Sequence, residues 1–186
     1  MDNIAAIALG GNSTSGKGNP VATLTAALME IQRHIGPIVS VSRFFRTPAF
    51  PPGSGPDFVN AAAIVASAST PSAILAALHD IEAEFGRTRE VRWGARTLDL
   101  DLLVCGDAIL PDRDTQSRWM TLPFKQQAQQ APDELILPHP RLQDRGFVLI
   151  PLAEIAPFLT HPVTGLTVAE MAEALPKAEK AAICPL

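Results

Sequence analysis

The sequence predicts an α+β sandwich, a largely antiparallel sheet with helices packed on one face. Three observations predict it. A continuous apolar run from Ile4 to Leu9 ends in Gly10-Gly11-Asn12, as a buried strand stopped by a turn would. Two later stretches carry apolar residues at helical spacing. Around them lie segments of strand character, in the order strand, helix, two strands, helix, strand.

Each element has its own signals. After the first strand a polar, glycine-containing loop runs to Asn19, and Pro20 suits the first turn of a helix. Leu24, Leu28 and Ile31 recur at helical spacing between Val21 and Ile35, and Gly36-Pro37 closes that segment. Ile38 to Thr47 is extended on the strength of Ile38, Val39, Val41, Phe44 and Phe45. A loop rich in proline and glycine leads to a further strand, Phe58 to Val65. Thr70-Pro71-Ser72 opens the second helix, whose stripe is Ile74, Leu75, Leu78, Ile81 and Phe85, and Gly86 ends it. Arg87 to Arg96 reads as a charged loop, and Thr97 to Val104 resumes strand alternation. Gly106-Asp107 reads as a hairpin turn into Ala108-Ile109-Leu110. Asp112 to Glu134 is polar and rich in glutamine. Phe147 to Ile155 is apolar and helical, and a short helix from Val168 to Leu175 precedes a loose tail.

A chain of 186 residues fits one domain, and with 47% hydrophobic and 18% charged residues it can form a core without staples. The length predicts no second catalytic domain after Pro157. Cys105 and Cys184 make neither a disulfide framework nor a metal site, which predicts a reducing, cytoplasmic setting. The start Met1-Asp2-Asn3 lacks the basic residues of a secretory signal, and no stretch is long and apolar enough to span a bilayer. A net charge of −4 argues against broad nucleic-acid binding. Anion chemistry must then come from a local basic cluster.

That cluster adjoins Thr97-Leu98-Asp99-Leu100-Asp101-Leu102-Leu103. On a strand, Asp99 and Asp101 share one face while Leu98, Leu100 and Leu102 point into the core. Carboxylates roughly 7 Å apart on one face suit one or two hard cations such as magnesium. Alone, such a pair is more often an ordinary solvated strand face. Here it follows Arg87, Arg89, Arg92 and Arg96, four arginines in ten positions. Guanidinium groups bind phosphate oxygens bidentately, and cations around a transferring phosphoryl group stabilise its charge. Gly86 and Gly94 bracket the arginines and would let the loop close as a lid. The plainer alternative is a basic loop paired at the surface with Asp99, Asp101 and Glu82. Further on, Leu137-Pro138-His139-Pro140-Arg141 offers a histidine between two prolines, with Arg145 six positions later. Both are candidates for nucleotide phosphates, although a lone His-Pro is more often structural. In Asp57-Phe58-Val59-Asn60-Ala61, a strand would put Phe58 and Asn60 on one face, a ring and an amide that suit a flat heterocycle. No Walker loop or Rossmann fingerprint is present.

Together these segments resemble the 6-hydroxymethyl-7,8-dihydropterin pyrophosphokinase family of folate biosynthesis. The matching pieces are Ala8 to Asn12, Ser42 to Pro48, Asp57 to Ala61, Glu82 to Leu103 and Leu137 to Pro151. They occur in family order. The run Gly-Arg-x-Arg, then Arg-Trp-Gly-x-Arg-Thr-x-Asp-x-Asp, is the most specific of them. The resemblance implies a ferredoxin-like fold and transfer of the β,γ-diphosphate of ATP to the pterin hydroxymethyl group, with release of AMP. It implies that Asp99 and Asp101 hold two magnesium ions, and that Asp101, or a water it orients, helps remove the hydroxyl proton. Arg87 and Arg96 would serve the chemical step. Arg89, Arg92, His139 and Arg145 would contact ATP, with Trp93 on the closing loop. Phe58 and Phe147 would sandwich the pterin ring, while Asn60 and the backbone around Thr47, Pro48 and Phe50 read its edge and Asn12 approaches the pocket. Partners are expected to be these small molecules alone, the enzyme acting as a monomer.

The sequence departs from the family in places. Gly11 stands where Ser is usual, Ala95 where Pro is usual, and Phe58 where Tyr is frequent. The stretch from about Asp112 to Glu134 is longer than the norm and reads as an insertion. Its Trp119, Met120 and Phe124 would cover the site, mediate self-association or pack. Two other readings stay open: another magnesium-dependent nucleotide transferase, which would not need the Phe58, Asn60 and Phe147 clamp, and a catalytically silent pterin- or nucleotide-binding module, which would not need the paired aspartates.

Overall fold

The computed structural model describes residues 3–49, 55–86, 97–123, 126, 130 and 132–186. In chain order the elements are β1 (Asn3–Gly11), α1 (Pro20–His34), β2 (Ile38–Val41), β3 (Phe45–Thr47), β4 (Phe58–Ser67), α2 (Pro71–Glu84) and β5 (Asp99–Cys105). There follow α3 (Arg113–Thr121), α4 (Gly146–Ile155), α5 (Val168–Ala174), α6 (Lys177–Ala182) and β6 (Cys184–Pro185). β1 lies between β5 and β4 and is antiparallel to both. β2 and β3 share the far side of β4, and β6 continues the sheet beyond β3.

The unbroken apolar run of β1 has a simple cause. Ala5, Ile7 and Leu9 face one core and Ala6 and Ala8 face another, so neither side of the strand meets water. On the first face lie α1, through Leu24, Ala27 and Ile31, and α2, through Ile74, Leu78 and Ile81. Each fully buried Leu or Ile among them contributes about 1.5–3 kcal/mol. Both helices start as their sequences dictate. The side chain of Asn19 accepts from the Ala22 N–H (3.0 Å) and that of Thr70 from the Ala73 N–H (3.3 Å), each just ahead of a proline that needs no acceptor.

The expectation of helices on one face is corrected by the second layer. Val148, Leu149 and Leu152 of α4, with Val168 and Met171 of α5, cover Ala6, Ala8, Ala62, Ile64, Leu103 and Val104. Alanines on the sheet side allow this helix to approach closely. The expected hairpin after Gly106-Asp107 does not form. The Gly106 N–H donates to Ile4 O (2.8 Å), and Leu110 pairs instead with Leu137. Nor is the tail loose. It forms α6 and then β6, whose Cys184 lies opposite Arg46, and the Leu186 N–H donates to Phe44 O (2.9 Å). The polar segment after Asp112 contains α3, capped by Asp112 on the Thr115 N–H (2.9 Å). α3 is fastened by its one buried side chain, Gln116, whose Nε2 donates to Pro138 O (3.2 Å). Among the described residues, no helix is long and apolar enough to cross a membrane.

Candidate active site

Small residues open a recess at one end of the sheet. Gly10 on β1 has Asn60 of β4 on one side and Asp99 of β5 on the other, while Ala8 is opposite Asp101. With no bulk at Gly10 and little at Ala8, the side chains of Asn60, Asp99 and Asp101 border a concavity instead of a packed layer. Phe147, in the first turn of α4, supplies its rim and is 39% exposed. Asp99 and Asp101 do share one face, as strand periodicity requires, with Leu100 and Leu102 in the opposite core.

The backbone between the two aspartates is held by a group that charge alone had placed at the surface. Glu82 of α2 is 1% exposed, and its Oε1 accepts the Leu100 N–H at 2.7 Å. The amide faces away from β1, so an acceptor on α2 satisfies what would otherwise be a buried orphan. Glu82 is therefore buried and not at the surface, and the arginines with which it was expected to pair lie outside the described residues. Gly11 also finds a reason. A Cβ there would lie 2.6 Å from Thr97 O, so the end of β1 can approach the segment leading to Asp99 only without a side chain.

On the Asn60 side, the Asn60 Nδ2 donates to Thr47 Oγ1 at 2.7 Å, and both residues are buried. This fixes the amide's orientation and leaves its oxygen on the recess side of the pair. Phe58, opposite Thr47, is half-buried on the same face of β4 as Asn60. Pro48 is exposed just beyond β3. Asn12 is buried, and its Nδ2 donates to Pro56 O (3.1 Å), which ties the end of β1 to the loop before β4.

On the other side of Asp101 lies a larger cleft of about 510 Å³. Leu75, Leu102 and Ile136 give it apolar walls, Trp119 of α3 adds an aromatic one, and His139, Arg141 and Arg145 give it a basic end. Arg145 Nη1 lies 3.3 Å from Asp101 Oδ2, and its guanidinium sits 5.7 Å from the Phe147 ring centroid. The His139 N–H donates to Leu103 O (2.8 Å), and its Nδ1 accepts from the Arg141 N–H (3.0 Å). The neutral ring then carries its proton on Nε2. Burial lowers the His139 pKa to about 4; the Asp101 carboxylate opposes this, and the Arg145 and Arg141 cations reinforce it. Arg141 is itself paired with Asp144 (2.7 Å).

The structure thus brings together Asp99, Asp101, Asn60, Thr47, Phe147, His139 and Arg145. Arg87, Arg89, Arg92, Trp93, Arg96 and Phe50 lie outside the described residues. The functional readings missed two things. One is Glu82, which reads as a solvated helix residue. The other is the pairing of Arg145 with Asp101, which a separation of 44 residues conceals.

Comparison with known proteins identifies the family. The family model described as 7,8-dihydro-6-hydroxymethylpterin-pyrophosphokinase matches residues 6–157. A 2-amino-4-hydroxy-6-hydroxymethyldihydropteridine pyrophosphokinase of Synechocystis sp. is 36% identical over 170 residues, 91% of this chain and 74% of the relative. The protein of the same name from Haemophilus influenzae is 36% identical over 159 residues, 85% of this chain and 84% of its own. Among solved structures, wild-type Plasmodium falciparum HPPK-DHPS superposes with a TM-score of 0.66 over 93% of this chain. At 16% identity that likeness shows the fold alone, and the chain spans 44% of that protein's length. The extent of the family match and the identity to both bacterial relatives establish that the chain belongs to the 7,8-dihydro-6-hydroxymethylpterin-pyrophosphokinase family.

Proposed function

We propose that the recess, the cleft and the carboxylates between them are the means by which this chain performs its family's reaction, ATP-dependent pyrophosphoryl transfer to a hydroxymethyldihydropterin. One observation carries the reading: Asp101 lines both the recess and the cleft. A pterin whose flat ring meets Asn60 and Phe147 and a nucleotide lying along Trp119, His139 and Arg145 would present their reacting groups to each other at that residue. The acceptor oxygen attacks the β-phosphorus of ATP, the bond to the α-phosphate oxygen breaks, AMP leaves, and the hydroxyl proton passes to Asp101 or to a water it orients.

The donor set fits magnesium, which takes one or two carboxylates and completes its shell with water and phosphate oxygens. Two half-exposed carboxylates on one strand face meet that need. Asp99 and Asp101 would hold two ions, which when bound supply charge neutralisation on the phosphates. Arg145, beside Asp101, adds a bidentate phosphate donor, and neutral His139 offers Nε2–H as a hydrogen-bond donor at the basic end of the cleft. Asn60, held by Thr47, would read the pterin edge, with Phe58, Pro48 and Phe50 around it and Asn12 supporting the adjoining loop. Arg87 and Arg96 would stabilise the transferring group, and Arg89, Arg92 and Trp93 would close over ATP. Trp119 gives the insertion of residues 112–134 a place in the nucleotide cleft. We take the enzyme to act as a monomer in the cytoplasm, and its two free cysteines support the reducing setting.

The test is AMP formation from ATP, magnesium and 6-hydroxymethyl-7,8-dihydropterin against a control without pterin. Pterin-dependent AMP in the wild type and its loss in Asp101→Asn are expected, with turnover abolished by a chelator and restored by magnesium. AMP made equally without pterin would point to a different acceptor. Pterin binding without AMP would mean a silent binding module.

A further inference from the structure

Helix α4 begins where the recess and the cleft meet, and its first turn carries two of the site's side chains. Arg145 occupies the N-cap and Phe147 the second helical position. A helix start leaves backbone N–H groups in need of acceptors, commonly met by a Ser, Thr, Asp or Asn at the N-cap. Arginine has no acceptor atom, and no side-chain cap is made from position 145. Its guanidinium is turned to Asp101 instead.

The missing acceptor arrives from beyond the family match, which ends at residue 157. Glu179 on α6 places Oε1 2.9 Å from the Gly146 nitrogen and accepts its N–H. The approach is close: a Cβ at position 146 would lie 2.5 Å from Glu179 Oε1 and 3.0 Å from Ile183 Cδ1. α6 is fixed in turn by β6, paired with β3, whose Thr47 orients Asn60. The other end of α4 is tied by Glu154, whose Oε1 accepts from Arg43 Nε at 2.8 Å.

We propose that Glu179 is a positioning residue for pyrophosphoryl transfer. Capping α4 from a distance, it fixes the Arg145-Gly146-Phe147 peptide, and through it the guanidinium beside Asp101 and the ring at the recess rim. The proposal rests on the functional reading above. Its test compares Glu179→Ala, Glu179→Gln and Gly146→Ala in the full chain, by steady-state kinetics and by amide hydrogen exchange across residues 145–149. Loss of a cap and of the order it imposes is expected to raise the pterin KM about tenfold in Glu179→Ala, with exchange at Gly146 faster by a similar factor. Glu179→Gln keeps an acceptor oxygen and should restore most of both. Gly146→Ala displaces Glu179 from the other side and should reproduce Glu179→Ala, with the double variant no worse than either single one. Should Glu179→Ala not fold, Gly146→Ala carries the same comparison.

Equal impairment in Glu179→Gln and Glu179→Ala would overturn the proposal. So would a lowered melting temperature with wild-type KM and kcat, which would make Glu179 a structural cap and no more. If the wild type makes no pterin-dependent AMP, the enzymatic reading fails, and unchanged exchange at Gly146 would separately refute the cap.

Discussion

Glu82 offers the sharpest test of how the aspartates are held. Its Oε1 accepts the Leu100 N–H at 2.7 Å in a buried setting, and that amide lies between Asp99 and Asp101. Replacing it by Met keeps most of the volume and removes the acceptor; Gln keeps an acceptor; Ala removes both. Leaving a buried amide without its acceptor costs about 1–3 kcal/mol, so Glu82→Met should cost about that much. Glu82→Ala adds roughly 0.8 kcal/mol per lost buried methylene, about 2–4 kcal/mol in all. At about 2–4 °C per kcal/mol for a chain of this size, its melting temperature should fall by roughly 4–16 °C. Release of Leu100 should also shift both carboxylates, and a displacement of about 1 Å can lower the rate on the order of 10²-fold. Urea unfolding without ligands reads the first effect, and single-turnover AMP formation reads the second. A Met variant with the wild-type urea midpoint and rate would refute the argument, as would a Gln variant as damaged as Met.

Three further expectations concern other parts of the molecule. Thr47→Val removes the acceptor that orients Asn60 and, at about 1 kcal/mol, should raise the pterin KM roughly fivefold while leaving that for ATP alone; an unchanged pterin KM would detach Asn60 from recognition. Trp119→Ala should raise the KM for ATP roughly five- to tenfold through lost stacking, with the pterin KM unaffected; the reverse pattern would move the nucleotide out of the cleft. His161 is buried and accepts the Val163 and Thr164 N–H groups on Nδ1 (3.2 and 3.3 Å), and burial lowers its pKa. Its stabilisation is fully present above its ordinary value of 6.5 and is lost as pH falls from there toward the lowered value. Urea midpoints at about pH 7.5 and 5.5 should therefore differ more in the wild type than in His161→Asn; equal slopes would contradict this.

The parts of the fold legible in the sequence are those whose partners follow the chain's own periodicity. The stripes of α1 and α2, the capping residues Asn19 and Thr70 and the shared face of Asp99 and Asp101 are local matters of period and hydrogen bonding. Distant pairings are another case. Gly106-Asp107 is a plausible hairpin turn until Leu110 finds Leu137, and nothing near either residue signals the other. α6 and β6 are too short to carry a periodic stripe, and β6 exists only because β3 offers an edge. The second helical layer was implicit in the alanines of β1, since a strand with no polar alternation needs cover on both faces. Glu82 was the least legible, because a carboxylate on a helix reads as solvated until the amide it satisfies is seen. For the arginines between residues 87 and 96 it is the family resemblance that suggests individual roles, since no periodicity could assign them.

β5 is the edge of the described sheet, and an edge strand invites addition of a strand from another molecule. Its outward amide at Leu100 is closed by Glu82, and on either side of that amide stand the charges of Asp99 and Asp101. If Asp99 and Asp101 serve phosphate chemistry as proposed, the same two charges would also discourage strand addition at this edge, where the His139 N–H already occupies Leu103 O. Removing both carboxylates would leave the run from Leu98 to Cys105 without a charge, the kind of neutral, branched edge that templates aggregation. Inactive variants at these positions should therefore be followed by light scattering as they are concentrated, for a protein that is both dead and sticky would be showing two consequences of the same lost charges.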